Sequence, residues 1–287
     1  MLINMREMLK TADENQFAVG AFNATESSLF RSVVEEAEAS SSPAIIQVAP
    51  GEFDFATREF YTYVRERLAG SKIPFVLHLD HGKTVGQCLR AIQAGFTSVM
   101  IDGSELSYEE NTKLTKEVAE LAHMVNVSVE GEIGTIGVMD NSEEGGVKNV
   151  TYTDPEDVIR FVSRTDVDCL AIAIGTAHGI YPKGFKPELQ LQLLKKIKEV
   201  STVPLVLHGG SNNQDDEIRE ACKIGIRKVN ISSDFKYAFF KKANQVIEET
   251  GGFIPAKVFT PGILEARKVI RQKMELFGSL GKADCYR

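Results

Sequence analysis

Residues 74–82 read PFVLHLDHG. An apolar run opens after a proline and ends on a carboxylate, Asp80, a histidine, His81, and a glycine. A short apolar run between proline and glycine predicts a strand buried on both faces, as in a parallel sheet. The same arrangement returns in LAIAIGTAHG at 170–179 and PLVLHGGS at 204–211. His81, His178 and His208 therefore stand where three different strands stop, in a chain with only five histidines. A lone histidine in an apolar strand is usually a core residue, which is the reading for His78; His123 falls in a helical stretch and reads as surface or packing. Three at matching strand ends are a different matter. Three neutral imidazoles around an open fourth position make a catalytic zinc site.

Working outward, apolar runs at 17–22, 44–48, 75–79, 98–101, 127–131, 169–174, 205–207 and 228–231 predict eight strands. Helical spacing fills 27–40, 58–68, 85–94, 108–125, 155–163, 187–200, 215–224 and 234–249. Strand then helix, eight times, is the pattern of an α/β fold, a (β/α)8 TIM barrel. A further helical stretch at 263–276 predicts an extra C-terminal helix outside the barrel, with 1–287 as a single domain. In such barrels the C-terminal strand ends converge on one face that carries the chemistry. A long polar segment at 135–151 opens onto that face and reads as a lid.

The bulk properties fit an ordinary cytoplasmic enzyme. An apolar share of 43% fills a sizeable core, and a formal charge of −7 argues against nucleic acid as a partner. Cys88, Cys169, Cys222 and Cys285 are widely spaced and read as thiols. No apolar run approaches the ~18 residues of a membrane span, and the opening MLINMREMLKTADENQ is charged and amphipathic, unlike a signal peptide.

Other groups widen the site. Asp102 ends the fourth strand and Glu132 the fifth; either could hold a second or alternative divalent cation, or orient a ligand histidine through its free N–H. The stretches 208–211 (HGGS) and 230–233 (NISS) end the seventh and eighth strands, the common phosphate position of these barrels. Gly209 and Gly210 allow close backbone approach, and Ser211 and Ser233 add hydroxyl donors.

LHLDHG at 77–82, AIGTAHGIY at 173–181, VLHGGS at 206–211 and VNISSD at 229–234 resemble the class II, metal-dependent ketose-bisphosphate aldolases. The likeness spans residues 1–281, includes GAFNATE (20–26) and VEGEIG (129–134), and leans towards the branch of tagatose-bisphosphate and shorter fructose-bisphosphate aldolases. It implies a lyase cleaving tagatose or fructose 1,6-bisphosphate to dihydroxyacetone phosphate and glyceraldehyde 3-phosphate. Zn²⁺ on His81, His178 and His208 would polarise the C2 carbonyl, and Asp80 would handle the C4 hydroxyl proton. Gly179, Gly209, Gly210, Ser211, Asn230, Ser232 and Ser233 would cradle the dihydroxyacetone-phosphate end. Asn23 would face the sugar, and Lys236 would meet the distal phosphate, as such a basic residue often does across a subunit interface. A homodimer or homotetramer is expected. Two positions depart from the pattern. Relatives carry a glutamate on the loop after strand five, where this chain has Asp140, followed by Glu143 and Glu144; and Ser232 stands where fructose-specific relatives often have Asp or Asn. Asp140 matches by position as the loop's proton donor, though one methylene shorter than glutamate, and Glu143, longer and three residues on, is the alternative. Two alternatives remain, an aldolase for another ketose 1-phosphate and a non-catalytic partner subunit. A Schiff-base mechanism is disfavoured because strand six carries no lysine.

Overall fold

The computed structural model describes residues 1–138, 150–179 and 187–286. In chain order its strands are β1 (Val19–Asn23), β2 (Ala44–Val48), β3 (Phe75–Gly82), β4 (Ser98–Ile101), β5 (Ser128–Ile133), β6 (Gly137–Val138), β7 (Cys169–Ile172), β8 (Ala177–His178), β9 (Leu205–Leu207) and β10 (Ile226–Ile231). Eight of them close a parallel barrel in the order β1-β10-β9-β7-β5-β4-β3-β2, and β6 and β8 pair as a separate small sheet. The helices are α1 (Met5–Glu14), α2 (Ser27–Ala39), α3 (Pro50–Ala69), α4 (Val85–Gln93), α5 (Tyr108–His123), α6 (Pro155–Thr165), α7 (Leu191–Val200), α8 (Asp215–Ile224), α9 (Ser233–Thr250) and α10 (Pro255–Leu276). The α/β TIM barrel with an extra C-terminal helix is thus what the chain forms.

Three features depart from the sequence reading. The opening segment is a helix, α1, whose Met5, Met8, Leu9 and Ala12 are buried. They join Val19, Ala21, Ile45, Val76, Ala171 and Val206 in one apolar cluster that fills the lower barrel. The helix after β2 begins at Pro50, with non-helical Thr57 (φ 64°) inside it. The long segment after β5 opens with a strand, β6.

Strand periodicity of two explains the interior. Val76, His78 and Asp80 alternate along β3, Glu130 and Glu132 along β5, Val206 and His208 run from β9, and Lys228 and Asn230 along β10. The lower storey is apolar and the upper storey is polar, and all of these side chains are buried. Among the described residues no helix is long and apolar enough to cross a membrane. All four cysteines are free.

Candidate metal centre and active site

Asp80 and His81 are adjacent, so a regular strand would point them to opposite faces. The pairing of β3 with β4 slips here: Leu79 partners Val99, but Gly82 partners Ile101. His81 takes φ 51° in the left-handed region, uncommon for a residue with a Cβ. This bulge brings both side chains to the barrel mouth, a use of irregularity common beside active sites.

The His81 ring lies 4.9 Å from that of His178 and 4.6 Å from that of His208, centroid to centroid. One nitrogen from each of the three lies within 4.8 Å of the others. His178 does not sit on a barrel strand. It lies beyond β7 on β8, where Ala177 and His178 pair with Gly137 and Val138. His81 Nδ1 is 2.9 Å from Asp102 Oδ2, so that nitrogen donates and Nε2 is turned into the cluster. His208 is used the other way round, its Nε2 lying 2.8 Å from Glu130 Oε1. His81 Nε2 and His208 Nδ1 are buried and have no hydrogen-bond partner. Two buried, unpartnered ring nitrogens converging beside a third imidazole fit a divalent, nitrogen-favouring cation such as zinc, which would displace any proton they carry.

The carboxylates divide their work. Asp80 Oδ2 accepts from Asn23 Nδ2 at 3.3 Å and Oδ1 from Asn230 Nδ2 at 3.1 Å. Asn23 in turn accepts from Gln47 Nε2 at 2.7 Å. Burial disfavours the Asp80 charge, yet neighbouring His81 and Lys228 hold its pKa below the usual value. Asp102 also accepts from Lys83 Nζ at 2.7 Å and from Ser104 Oγ at 2.7 Å. Despite burial, His81 and Lys83 hold it well below the carboxylate range. Glu132 Oε2 is buried without a hydrogen bond, 3.5 Å from His208 Nδ1. Burial, with Asp102 nearby, pushes its pKa well up. Asp102 and Glu132 form a second possible ligand group with His81, their ligand atoms within 4.8 Å of one another. Asp102 is already engaged as the orienter of His81, so a cation there would compete with Lys83.

At the β9 and β10 ends the two loops are stitched together. Gly210 N–H donates to the Asn230 carbonyl at 3.0 Å, and Ser232 N–H to Ser211 Oγ at 3.3 Å. Gly209 takes φ 61°, and a Cβ on it would sit 2.5 Å from the Ala177 carbonyl oxygen. Only glycine fits that turn. Ser232 caps α9 without a side-chain hydrogen bond, leaving the helix start, with Ser233, open to an anion. Gly179 (φ 98°) follows His178 directly. Lys236 pairs with Glu52 of α3 in the same chain, its Nζ 2.5 Å from Glu52 Oε1. Asp140, Glu143 and Glu144 lie outside the described residues.

His78 is a core residue, its Nδ1 2.8 Å from Ser98 Oγ. His123 packs on Asp168, Nε2 to Oδ2 3.0 Å, away from the other histidines. Glu130, Lys228 and Gln47 were missed by sequence reading. Their signal is parity, since each stands an even number of positions from another inward residue of its strand.

A parallel barrel with three histidines and a buried aspartate at its mouth could hold a divalent cation beside a carboxylate. The family model described as "Fructose-bisphosphate aldolase class-II" matches residues 3–282. The chain belongs to that family of class II aldolases, carbon–carbon lyases that act on phosphorylated sugars and are generally metal-dependent. It is 37% identical to a 6-phospho-5-dehydro-2-deoxy-D-gluconate aldolase of Bacillus licheniformis, over 99% of this chain and 97% of the relative. It is 36% identical to a fructose-bisphosphate aldolase of Geobacillus stearothermophilus, over 98% of this chain and 99% of the relative. The crystal structure of the YdjI aldolase from Escherichia coli K12 superposes with a TM-score of 0.86 at 31% identity, covering 99% of this chain and all of that one (100%).

Proposed function

We propose that this aldolase reversibly cleaves a ketose 1,6-bisphosphate, tagatose or fructose, to dihydroxyacetone phosphate and glyceraldehyde 3-phosphate, with Zn²⁺ held by His81, His178 and His208. The observation that carries this reading is Asp80, a buried carboxylate gripped by Asn23 and Asn230 beside the three converging imidazoles. When bound, the cation supplies Lewis acidity at the substrate carbonyl. Asp80 takes the C4 hydroxyl proton in cleavage and returns it to the aldehyde oxygen in condensation. Its low pKa keeps it ionised and ready to accept. Asn23 and Asn230 fix its orientation and Gln47 fixes Asn23. The loops at 208–211 and 230–233, with Gly179 and the open start of α9, bind the triose-phosphate end. Asp140, with Glu143 as the alternative, is the acid proposed to protonate the carbon left by cleavage. A cytoplasmic homodimer or homotetramer is the proposed assembly.

A second reading comes from the relatives themselves. Two aldolases named for different sugars stand at nearly equal identity, 37% and 36%. A 6-phospho-5-dehydro-2-deoxy-D-gluconate substrate therefore belongs in the test. Purified protein should be stripped with a chelator, reloaded with Zn²⁺ and assayed against fructose and tagatose 1,6-bisphosphates, that acid and ketose 1-phosphates. Cleavage of one bisphosphate, lost on stripping and restored by zinc, is the expected result. Full activity in protein shown to be metal-free would end the zinc reading. His208→Ala should lose metal and activity together, and His123→Ala should keep both.

A further inference from the structure

Below the three histidines lies a buried charged group that the reaction as proposed does not use. Glu130, on β5, is enclosed by side chains from β3, β7 and β10 and from the residue that follows β9. Its Oε1 and Oε2 lie 3.1 and 2.8 Å from Lys228 Nζ of β10. Oε1 also accepts from His208 Nε2, at the end of β9, at 2.8 Å. Oε2 lies 3.4 Å from His78 Nε2 of β3 and accepts from Cys169 Sγ of β7 at 3.7 Å. Glu130 and Lys228 are both fully buried.

A buried ion pair is a poor source of stability, because desolvating two charges offsets most of their attraction. Apolar residues of similar volume would fill the same space at no greater cost. What the pair does provide is direction. A neutral imidazole has one N–H and one lone pair, and the group that accepts the N–H decides where the lone pair faces. Glu130 takes the N–H of His208 at Nε2, which leaves Nδ1 turned to the cluster with no other hydrogen bond. His81 is held with the opposite nitrogen inward, by Asp102. The two rings therefore need separate anchors, and Glu130 is the one for His208.

We propose that Glu130 is a positioning residue that fixes the Nδ1-inward orientation of His208, and that Lys228 serves to hold the Glu130 carboxylate in place, so that this pair sets the affinity of the metal centre. The inference rests on the reading of His208 as a ligand. The Lys228 amine is thereby a structural ammonium, bound to both oxygens of one carboxylate, and not a free nucleophile.

The test is the double variant Glu130→Leu/Lys228→Met, which removes both charges and the oxygen that accepts the His208 Nε2–H, with modest change in volume. Zinc affinity is read by competition with a chromogenic chelator, and folding by circular dichroism and thermal midpoint. The expected outcome is a folded protein whose zinc affinity falls by roughly 10–100-fold, the range for loss of a group orienting a ligand. The control neutralises another ion pair of β10, Asp13→Asn/Arg227→Gln, whose Arg227 Nε lies 2.6 Å from Asp13; it should leave zinc affinity unchanged. Wild-type zinc affinity in the folded Glu130→Leu/Lys228→Met protein overturns the proposal. Should that variant not fold, ¹⁵N-histidine spectra of the wild-type protein without metal decide. A proton on His208 Nε2 supports the anchor and a proton on Nδ1 overturns it. His208→Ala is run alongside; zinc bound there at wild-type affinity would remove the ligand reading, and this inference with it.

Discussion

Val138 pairs in register with His178 across the small parallel sheet of β6 and β8. One of the three clustered histidines is thus attached to the root of the segment that carries Asp140. The root is closed at its far side, where Thr135 N–H donates to the Thr151 carbonyl at 2.9 Å and Thr151 N–H to Thr135 Oγ1 at 2.7 Å. A Cβ added at Gly137 would lie 3.0 Å from Ala177 Cβ and 3.2 Å from Val150 Cγ2, so Ala177, the neighbour of His178, would have to give way. Gly137→Val should therefore lower zinc affinity by about 10-fold, in the lower part of the range for disturbing a ligand's support. Chelator competition measures it, and unchanged affinity would uncouple β6 from the metal centre.

The second prediction concerns pH in protein stripped of metal. Burial works against a charged His81, but Asp80 and Asp102 prevail and raise its pKa from 6.5 to about 10. A raised pKa means that the stabilisation is complete below pH 6.5 and is lost as pH climbs through about 10. Asp102 is depressed, so its own contribution fades only in strong acid. The thermal midpoint of stripped protein should thus fall between pH 6.5 and 10, and Asp102→Asn should flatten that fall. Zinc must displace the His81 proton, so its affinity should rise with pH over the same window. Calorimetric scans at several pH values test both, and a flat midpoint in the wild type would contradict them.

In the proposed reaction Asp80 acts through a proton. Asp80→Asn should retain zinc while cleavage falls by roughly 10²–10⁴, the usual worth of a positioned acid–base group. Asn23→Ala removes only one of its two holders and should cost less. Metal content and turnover are measured on the same preparations. Loss of zinc in Asp80→Asn would recast Asp80 as a support of the metal centre.

Lys236 and Glu52 give opposite expectations. If Lys236 meets a distal phosphate it must leave Glu52, with which it pairs in this structure. Lys236→Ala should weaken bisphosphates far more than ketose 1-phosphates. Glu52→Gln, which frees the ammonium, should favour bisphosphates relative to monophosphates. The ratio of kcat/KM values between the two substrate types reads both, and an equal effect on each type would take the pair out of substrate selection.

The barrel was legible because eight buried runs punctuated by Gly and Pro leave few alternatives. The three histidines were legible because strand ends share one face. What escaped has physical reasons. Glu130 and Lys228 sit inside runs that read as strand, and single polar residues there blur the apolar signal without breaking it. The bulge at Asp80 and His81 is a backbone slip with no residue-type signature, since His81 adopts a positive φ without being glycine. Strand β8 is two residues long and depends on a partner, β6, far away in the chain. The Glu52–Lys236 pair joins helices that follow β2 and β10, and no local spacing announces it.

The barrel closes where β1 meets β10, Ala21 opposite Asn230. Asp80 is gripped from both sides of that junction, by Asn23 on β1 and Asn230 on β10. A growing chain can lay down the early strands in order, yet the Asp80 carboxylate is held on one side only until residues 226–231 are made and docked. Closing so long a loop is slow relative to forming helices. Helical signal on refolding should return before catalytic competence does. The last barrel strand to be made thus supplies one of the two amides that fix Asp80, so closing the barrel and completing that grip are a single event.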